Sequence, residues 1–210
     1  MNPPRSLFDD ASHLESIALV DAELAFAEHF YPPAVADDLF ATLLAQTHWR
    51  QESIQVWGKA HRQPRLTAWH GDDGSAYSYS GIHLQASSWT PTLLRIRRDI
   101  SAATGHEFNS VLLNLYRDQQ DSMGWHSDDE PELGRNPVIA SLSLGAMRRF
   151  KLKHTTRKEQ KTLALDLPGG SLLIMAGDTQ HHWQHGIAKQ TAPIGPRINL
   201  TFRQIIAAKP

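Results

Sequence analysis

Residues 197–203, RINLTFR, alternate strictly between polar and apolar side chains. Successive side chains of a β-strand point to opposite faces, so this pattern predicts a strand with two different faces. The polar face carries Arg197, Asn199, Thr201 and Arg203, and the apolar face carries Ile198, Leu200 and Phe202. A buried arginine needs an anionic partner, and this strand contains no acid, so a small dicarboxylate could serve both guanidinium groups. The alternative is an exposed sheet face with ordinary polar residues.

A second strand with the same division is predicted within residues 109–117, NSVLLNLYR, where Asn114 and Tyr116 share one face. An amide and a phenol on one face could orient the same anion. Alternation, or enrichment in β-branched and aromatic residues, predicts further strands. These segments are residues 53–58, 65–71, 76–84, 137–145, 148–154, 161–167, 171–177 and 197–206.

Two helices are predicted in the N-terminal half of the chain, at residues 32–46 and 90–105. In the second helix, Thr90 is expected to cap the N-terminus, Pro91 fits the first helical position, and Gly105 is the expected stop. Two helices followed by many closely spaced strands favour a mainly β (α+β) fold. We therefore expect a β-sandwich or jelly roll backed by the two helices.

The composition is that of a globular protein rather than a disordered chain. The 210 residues suit one domain, with 40% hydrophobic and 20% charged residues. Cysteine is absent, which excludes disulfides, zinc–thiolate sites and iron–sulfur clusters. No leader-like N-terminus and no long apolar run occur, so neither secretion nor membrane spanning is expected, and we expect a cytoplasmic protein.

The segment GWHSDDE, residues 124–130, places a histidine and an acid two positions apart. At the end of a strand, His126 and Asp128 would share one face, but two ligands are too few for a metal site. The dense histidine cluster QHHWQHG, residues 180–186, could supply the third ligand, although spacing alone does not choose among its histidines. Two histidines and one carboxylate form the facial triad of non-haem Fe(II) oxygenases. The alternative interpretation is a solvated surface turn.

Charge is distributed unevenly along the chain. Residues 1–56 contain nine acids and two bases, whereas residues 148–161 contain seven bases and one acid. The basic segment, with Arg62 and Arg65, could follow the phosphates of a nucleic acid. It could equally be the solvated side of a hairpin.

Four separated segments, in order, resemble the AlkB family of Fe(II)- and 2-oxoglutarate-dependent nucleic-acid dealkylases. They are NLYRDQQDSMGWHSDDE, IASLSLGAMRRF, WQHGIAK and RINLTFR, and the resemblance extends over about residues 55–204. It implies a double-stranded β-helix (jelly-roll) core at residues 109–206, preceded by an N-terminal extension and nucleotide-recognition region at residues 1–108. The cofactors implied are Fe(II), 2-oxoglutarate as cosubstrate, and O₂.

The resemblance also assigns roles to residues at the predicted site. His126, Asp128 and His185 would be the iron ligands, and Arg203 would hold the distal carboxylate of 2-oxoglutarate. The other implied contacts of the cosubstrate are Asn114, Tyr116, Arg197 and Thr201. One departure follows the last ligand, where many family members have Ser-Val-Pro and this chain has Gly-Ile-Ala at residues 186–188.

The substrate side of the resemblance lies mainly before residue 85. The segment QVWGK resembles the family's hairpin finger, with Trp57 at its tip as a wedge in a duplex. Tyr77 and Tyr79 alternate on one strand face, and Tyr79 would stack on the flipped base opposite the ring of His126. The alternative is that Trp57 and both tyrosines belong to the hydrophobic core. Two acids complete the expected substrate contacts, Asp129 at the target base and Glu130 at the same entrance.

The resemblance implies oxidative dealkylation of 1-methyladenine- and 3-methylcytosine-type bases in DNA, with RNA as a further candidate substrate. A monomer acting on single- or double-stranded DNA is expected. One alternative is a 2-oxoglutarate oxygenase that hydroxylates a protein or a small molecule. Another is a jelly-roll binding module without catalytic activity, although such a module has no need of a facial triad.

Overall fold

A computed structural model describes residues 13–56, 59–72, 76–79 and 82–206, with side chains described except at residues 54–60 and 73–85. It contains fifteen described strands and three helices, with a single 3₁₀ turn at Pro131–Leu133. The helices are α1 (Pro33–Gln46), α2 (Pro91–Thr104) and α3 (Thr179–His182). The strands are β1 (Glu15–Ile17), β2 (Glu23–Ala27), β3 (Ser53–Val56), β4 (Lys59–Arg62), β5 (Leu66–Gly71), β6 (Ala76–Tyr79), β7 (Ile82–Gln85), β8 (Ser110–Tyr116), β9 (Met123–His126), β10 (Ile139–Gly145), β11 (Arg148–His154), β12 (Leu163–Leu167), β13 (Leu172–Ala176), β14 (Trp183–Ile187) and β15 (Arg197–Arg203).

Two antiparallel sheets form the centre of the fold. The major sheet has seven strands in the order β1-β2-β13-β10-β15-β8-β5, and the minor sheet has four in the order β12-β11-β14-β9. From β8 to β15 the chain passes repeatedly between the two sheets, which is the connectivity of a jelly roll. The mainly β fold expected from the sequence is confirmed.

The major sheet is covered on both faces. On one face, α1 and α2 pack through Leu43, Ile96 and other apolar side chains against the apolar residues of β8, β10 and β15. On the other face, a second core cluster that includes Phe150 and Trp183 joins the major sheet to the minor sheet. Every residue of β8 and of β15 is therefore buried. The polar side chains that alternate along β15 are buried on the side opposite its apolar core residues, so they do not form an exposed sheet face.

The two predicted helices are confirmed within a residue or two at each end. The hydroxyl oxygen of Thr90 accepts a hydrogen bond from the backbone N–H of Leu93 at 3.3 Å, as expected of an N-cap. Gly105 ends α2 with φ of 71°, a left-handed conformation that glycine adopts without steric cost. Among the described residues, no helix combines the length and apolar character needed to cross a membrane.

Some strands differ from the prediction. Residues 76–84 were predicted as one strand, whereas β6 and β7 form a two-stranded hairpin. Strands β1, β2, β9 and β14 were not predicted, because they are three to five residues long and show little alternation. Two of these unpredicted strands, β9 and β14, carry the two histidines of the predicted metal site.

Candidate metal centre and adjoining cavity

The three side chains predicted as iron ligands lie together at one end of the minor sheet. Strands β9 and β14 pair antiparallel, and this register places His126 opposite His185. The two ring centroids are 4.2 Å apart, and His126 Nε2 lies 3.7 Å from Asp128 Oδ1. One potential ligand atom from each of the three residues lies within 4.8 Å of the other two.

Asp128 is oriented by two contacts from outside the minor sheet. Strand β9 ends at His126, so strand alternation does not place the carboxylate as expected. Instead, Arg203 Nη2 donates to Asp128 Oδ2 at 2.8 Å, and the backbone N–H of Asp128 donates to Gln180 Oε1 at 2.9 Å. Asp128 Oδ1 is buried and has no hydrogen-bond partner among the described residues. A buried carboxylate oxygen in this state favours a bound cation.

The tautomer of His126 also suits a metal ligand. Its Nδ1 lies 2.9 Å from the carbonyl oxygen of Gly124, which can only accept, so Nδ1 carries the hydrogen and donates it. The lone pair is then on Nε2, the atom that faces Asp128. A metal-binding imidazole commonly has this second hydrogen bond, which fixes the tautomer and the ring orientation.

The protonation states of the triad at neutral pH are those required for metal coordination. Burial chiefly, with the charge of His126, lowers the pKa of His185 to about 3. Burial also lowers the pKa of His126. For Asp128, burial by itself raises the pKa, but the charge of Arg203 and then those of the two histidines lower it to about 2. Two neutral imidazoles therefore face one carboxylate, and no proton must leave before a cation binds.

The other histidines of the downstream cluster lie elsewhere. His181 is exposed, with Nε2 2.9 Å from Asn136 Oδ1. His182 belongs to a second group of potential ligands with Asp21 and His154. The structure thus distinguishes among the three histidines, which spacing alone did not.

Contacts within this second group favour a structural interaction over a metal site. His154 Nδ1 accepts the backbone N–H of Arg157 at 3.0 Å, so Nε2 carries the hydrogen and donates to Asp21 Oδ2 at 3.2 Å. Arg157 Nε also lies 3.0 Å from the same carboxylate oxygen. Because its Nε2 is protonated, His154 has no lone pair to offer a metal, and the group instead ties the β1–β2 turn to the end of β11.

A small polar pocket adjoins the triad between the two sheets. Besides the triad, its polar lining consists of Asn114, Tyr116, Ser141, Asn199, Thr201 and Arg203. Asn114 and Tyr116 of β8 therefore meet Asn199, Thr201 and Arg203 of β15 in one pocket, whereas Arg197 is not among its lining residues. Asn114 and Asn199 are register partners.

The two arginines of β15 have different contacts. Arg203 lies at the metal end, where it donates to Asp128. Arg197 is 1% exposed and donates from Nη2 to Ser143 Oγ at 2.8 Å, with its guanidinium carbon 5.3 Å from the centre of the Tyr116 ring. Burial lowers the pKa of Arg197 to about 10, so the group stays charged at neutral pH. Its Nε and Nη1 have no hydrogen-bond partner among the described residues, which leaves them available to a bound anion.

The predicted substrate contacts are described only in part. Asp129 is exposed and Glu130 is half-buried, both directly after the triad aspartate. Strands β3 and β4 form the expected hairpin, but Trp57 at its turn lies outside the described residues. Tyr77 and Tyr79 belong to β6, and their side chains also lie outside the described part of the chain.

Three residues near the site were not identified as such from the sequence. Gln180 was not singled out, although it binds the backbone of Asp128. Arg65 was assigned to phosphates but is 4% exposed, and its Nε donates to Asn114 Oδ1 at 2.8 Å. Arg148, in the basic segment, is 1% exposed and donates to three backbone carbonyl groups. The alternation of the sequence could have revealed the burial of Arg65, because residues 65, 67 and 69 would share one strand face and Thr67 and Trp69 are buried.

The fold and the triad define a class of protein, and comparison with known families agrees. The profile of the 2OG-Fe(II) oxygenase superfamily matches residues 23–203. The solved structure of OsALKBH1 superposes with a TM-score of 0.60 at 17% sequence identity, covering 91% of this chain and 100% of that one. The protein has the fold and the candidate metal ligands of a 2-oxoglutarate- and Fe(II)-dependent oxygenase.

Curated relatives narrow the class further. The chain is 44% identical over 178 residues to alpha-ketoglutarate-dependent dioxygenase alkB homolog 3 of Bos taurus, covering 81% of this chain and 62% of that protein. It is 40% identical over 185 residues to the DNA oxidative demethylase ALKBH2 of Homo sapiens, covering 84% of this chain and 71% of that protein. The chain belongs to the AlkB family. It spans 62% of the length of the bovine alkB homolog 3.

Proposed function

We propose that this protein is an Fe(II)- and 2-oxoglutarate-dependent dioxygenase that removes alkyl groups from N-alkylated nucleic-acid bases. The observation that carries the proposal is the triad of His126, Asp128 and His185, of which the last two are buried, beside a pocket lined by inward polar side chains. The names of the relatives support the same activity, since they describe a DNA oxidative demethylase and an alpha-ketoglutarate-dependent dioxygenase.

The triad would hold Fe(II) and leave coordination positions for 2-oxoglutarate and O₂. When bound, iron and cosubstrate supply the oxidation: 2-oxoglutarate and O₂ yield succinate and CO₂, the N-alkyl carbon is hydroxylated, and the alkyl group leaves as an aldehyde. The protein contributes ligands, orientation and exclusion of water from the buried cavity. The chain's own residues need not transfer a proton to the base.

We assign the two arginines of β15 in the reverse of the order expected from the sequence. Arg203 is bonded to the iron ligand Asp128, so it lies at the metal end of the cosubstrate. Arg197 lies six residues before Arg203, which is about 20 Å along an extended strand. The distance between the two guanidinium groups can be shorter, because both side chains are long. Arg197 beside Tyr116 is therefore the better candidate for the distal carboxylate. Asn114 and Thr201 line the cavity between them.

The proposed substrate contacts follow the metal ligands in the chain. Asp129 is exposed beside Asp128 and would face a base that carries a positive charge, as 1-methyladenine and 3-methylcytosine do. Glu130 would line the same entrance. In this proposal Trp57 is the wedge of the β3–β4 hairpin, while Tyr77 and Tyr79 are stacking residues for the extruded base.

The decisive experiment supplies the protein with Fe(II), 2-oxoglutarate and an oligonucleotide that carries 1-methyladenine or 3-methylcytosine. We expect succinate and formaldehyde in equal amounts and an unmodified base by mass spectrometry. His185→Ala should abolish all three products, whereas His181→Ala, which changes an exposed histidine of the same segment, should leave them unchanged. Succinate formed without loss of the methyl group would indicate an oxygenase with a different substrate.

The choice of nucleic acid and the state of the protein are parts of the same proposal. DNA is the proposed substrate, and a matched RNA oligonucleotide in the same assay tests whether RNA is accepted. The proposed state is a monomer in the cytoplasm. Light scattering would reveal an oligomer, and imaging of a tagged protein would reveal another compartment.

A further inference from the structure

Arg65 is a buried cation that the sequence had placed on the protein surface. It lies between β4 and β5, directly after Pro64, whose carbonyl oxygen accepts the backbone N–H of Ser122 at 2.9 Å. Its side chain is 4% exposed, which excludes a role in tracking the phosphates of a nucleic acid. The charge of Arg65 is close enough to lower the pKa of His126, after burial and the charge of Arg203.

The contact between Arg65 and Asn114 determines which way the amide faces. Arginine carries only donors, so the atom of Asn114 at 2.8 Å from Arg65 Nε must be the carbonyl oxygen Oδ1. The NH₂ group is then the polar group that Asn114 offers to the cavity it lines. Asn199, the register partner of Asn114, instead donates its own NH₂ to Ser141 Oγ at 2.9 Å and to the Leu142 carbonyl at 3.0 Å.

We propose that Arg65 is a positioning residue for the 2-oxoglutarate cosubstrate, because it holds Asn114 Oδ1 and so turns the amide NH₂ toward an oxygen of the bound keto acid. This inference rests on the proposed use of 2-oxoglutarate. Without Arg65, the amide could rotate and direct its carbonyl oxygen at an anion, which is repulsive.

The test measures binding of 2-oxoglutarate rather than turnover. Mn(II) replaces Fe(II), since it suits a site of nitrogen and oxygen ligands, and titration calorimetry then gives the dissociation constant of 2-oxoglutarate without reaction. Arg65→Met, Asn114→Ala and the double variant form a double-mutant cycle. Arg62→Met is the matched control, because Arg62 is exposed on the neighbouring strand.

We expect Arg65→Met and Asn114→Ala each to weaken 2-oxoglutarate binding about tenfold, as for one lost charge-assisted hydrogen bond. The double variant should bind no more than about twofold weaker than Asn114→Ala alone, because Arg65 acts through Asn114. The inference would be overturned if the double variant bound 2-oxoglutarate about a hundredfold more weakly than the parent. It would also be overturned if Arg65→Met bound 2-oxoglutarate as tightly as the parent.

Asn114→Asp provides a second test that does not depend on the stability of Arg65→Met. The new carboxylate still accepts from Arg65 but offers the cavity no N–H, so 2-oxoglutarate binding should fall while the thermal midpoint is kept. Unchanged 2-oxoglutarate binding in Asn114→Asp would refute the inference. If the parent protein with Mn(II) does not bind 2-oxoglutarate at all, the proposed function fails as well, and the two failures are thereby distinguished.

Discussion

Two buried arginines of this protein differ in the number of their hydrogen-bond partners. Arg148 and Arg197 are each 1% exposed. Arg148 donates to three backbone carbonyl groups at 2.9–3.1 Å, whereas Arg197 has one hydroxyl acceptor, Ser143. A buried charge that lacks partners is costly, and natural proteins keep one where a ligand supplies the missing partner. The contrast favours a structural role for Arg148 and agrees with the proposed role of Arg197 in binding the cosubstrate.

Substitution of these two arginines should separate binding from stability. Arg197→Met should raise the KM for 2-oxoglutarate about 10- to 100-fold, because the lost charge-assisted hydrogen bonds are worth about 1.4–2.7 kcal/mol. The thermal midpoint should stay the same or rise, because an underpaired buried charge is removed. Arg148→Met should lower the midpoint, because it leaves three carbonyl groups without a donor. Succinate kinetics and thermal melts of both variants check the prediction, and a lower midpoint only in Arg197→Met would contradict it.

At the scale of a single element, β11 shows how pairing limits the surface available to a nucleic acid. The basic segment contains seven bases, but Arg148 is buried, Arg149 forms a two-point ion pair with Asp166 at 2.7 and 2.8 Å, and Arg157 pairs with Asp21. Lys153 lies over the exposed ring of Trp125, its ammonium 4.6 Å from the ring centre, on the outward face of the minor sheet. The lysines of the segment therefore remain the candidates for phosphate contacts.

Neutralising Lys151, Lys153 and Lys158 together should weaken binding to an oligonucleotide and reduce its dependence on salt. The slope of log K against log salt should fall by about 0.7–0.9 for each lost phosphate contact. Fluorescence anisotropy at several salt concentrations measures this slope. Arg149→Gln combined with Asp166→Asn removes a pair without changing the net charge and should leave the slope as it was. An unchanged slope in the lysine variant would remove this segment from the interface.

The hairpin of β3 and β4 supports a separate prediction on strand preference. If Trp57 is a wedge that replaces an extruded base, Trp57→Ala should reduce repair of a duplex lesion more than repair of the same lesion in a single strand. The ratio of the two initial rates is the measurement, with one oligonucleotide assayed alone and annealed to its complement. Equal losses on both substrates would assign Trp57 a structural role.

The sequence predicted those features that depend on local alternation. The strand β15, the helix cap at Thr90 and the shared face of Asn114 and Tyr116 follow from residues that are neighbours in the chain. It did not predict what depends on pairing between distant segments. Spacing left three histidines open, and only the family resemblance selected His185. The register that places His185 opposite His126, like the burial of Arg65, arises only when the strands assemble.

At the scale of the whole molecule, the proposed site joins the two sheets. The two histidines of the triad come from the minor sheet, whereas Asn114 and Arg203 come from the major sheet. The core cluster that includes Trp183 fills the space between these sheets, which stack about 10 Å apart in such folds. The same packing that holds the sheets in place removes water from the ligands, so the site is coupled to global stability.

This coupling predicts that the metal-free protein loses stability as the pH falls from about 6.5 toward 3. An imidazole in the unfolded chain has a pKa near 6.5, whereas burial and the charge of His126 lower that of His185 to about 3. In this window the unfolded chain binds more protons than the folded protein, so acidification favours unfolding. Asp128 has a pKa of about 2 in the folded protein, whereas an aspartate in an unfolded chain has a pKa of about 3.9. Asp128 therefore adds a further loss of stability when the pH falls below about 3.9.

Thermal melts of the metal-free protein between pH 8 and pH 5 measure this loss. The midpoint should fall steadily below pH 6.5, and His185→Asn should reduce the fall, because one buried group that resists protonation is gone. His48→Asn changes an exposed histidine and should keep the full dependence of the parent. A midpoint that stays constant or rises on acidification would mean that the triad opens to water without unfolding, and the site would then be independent of the packing between the sheets.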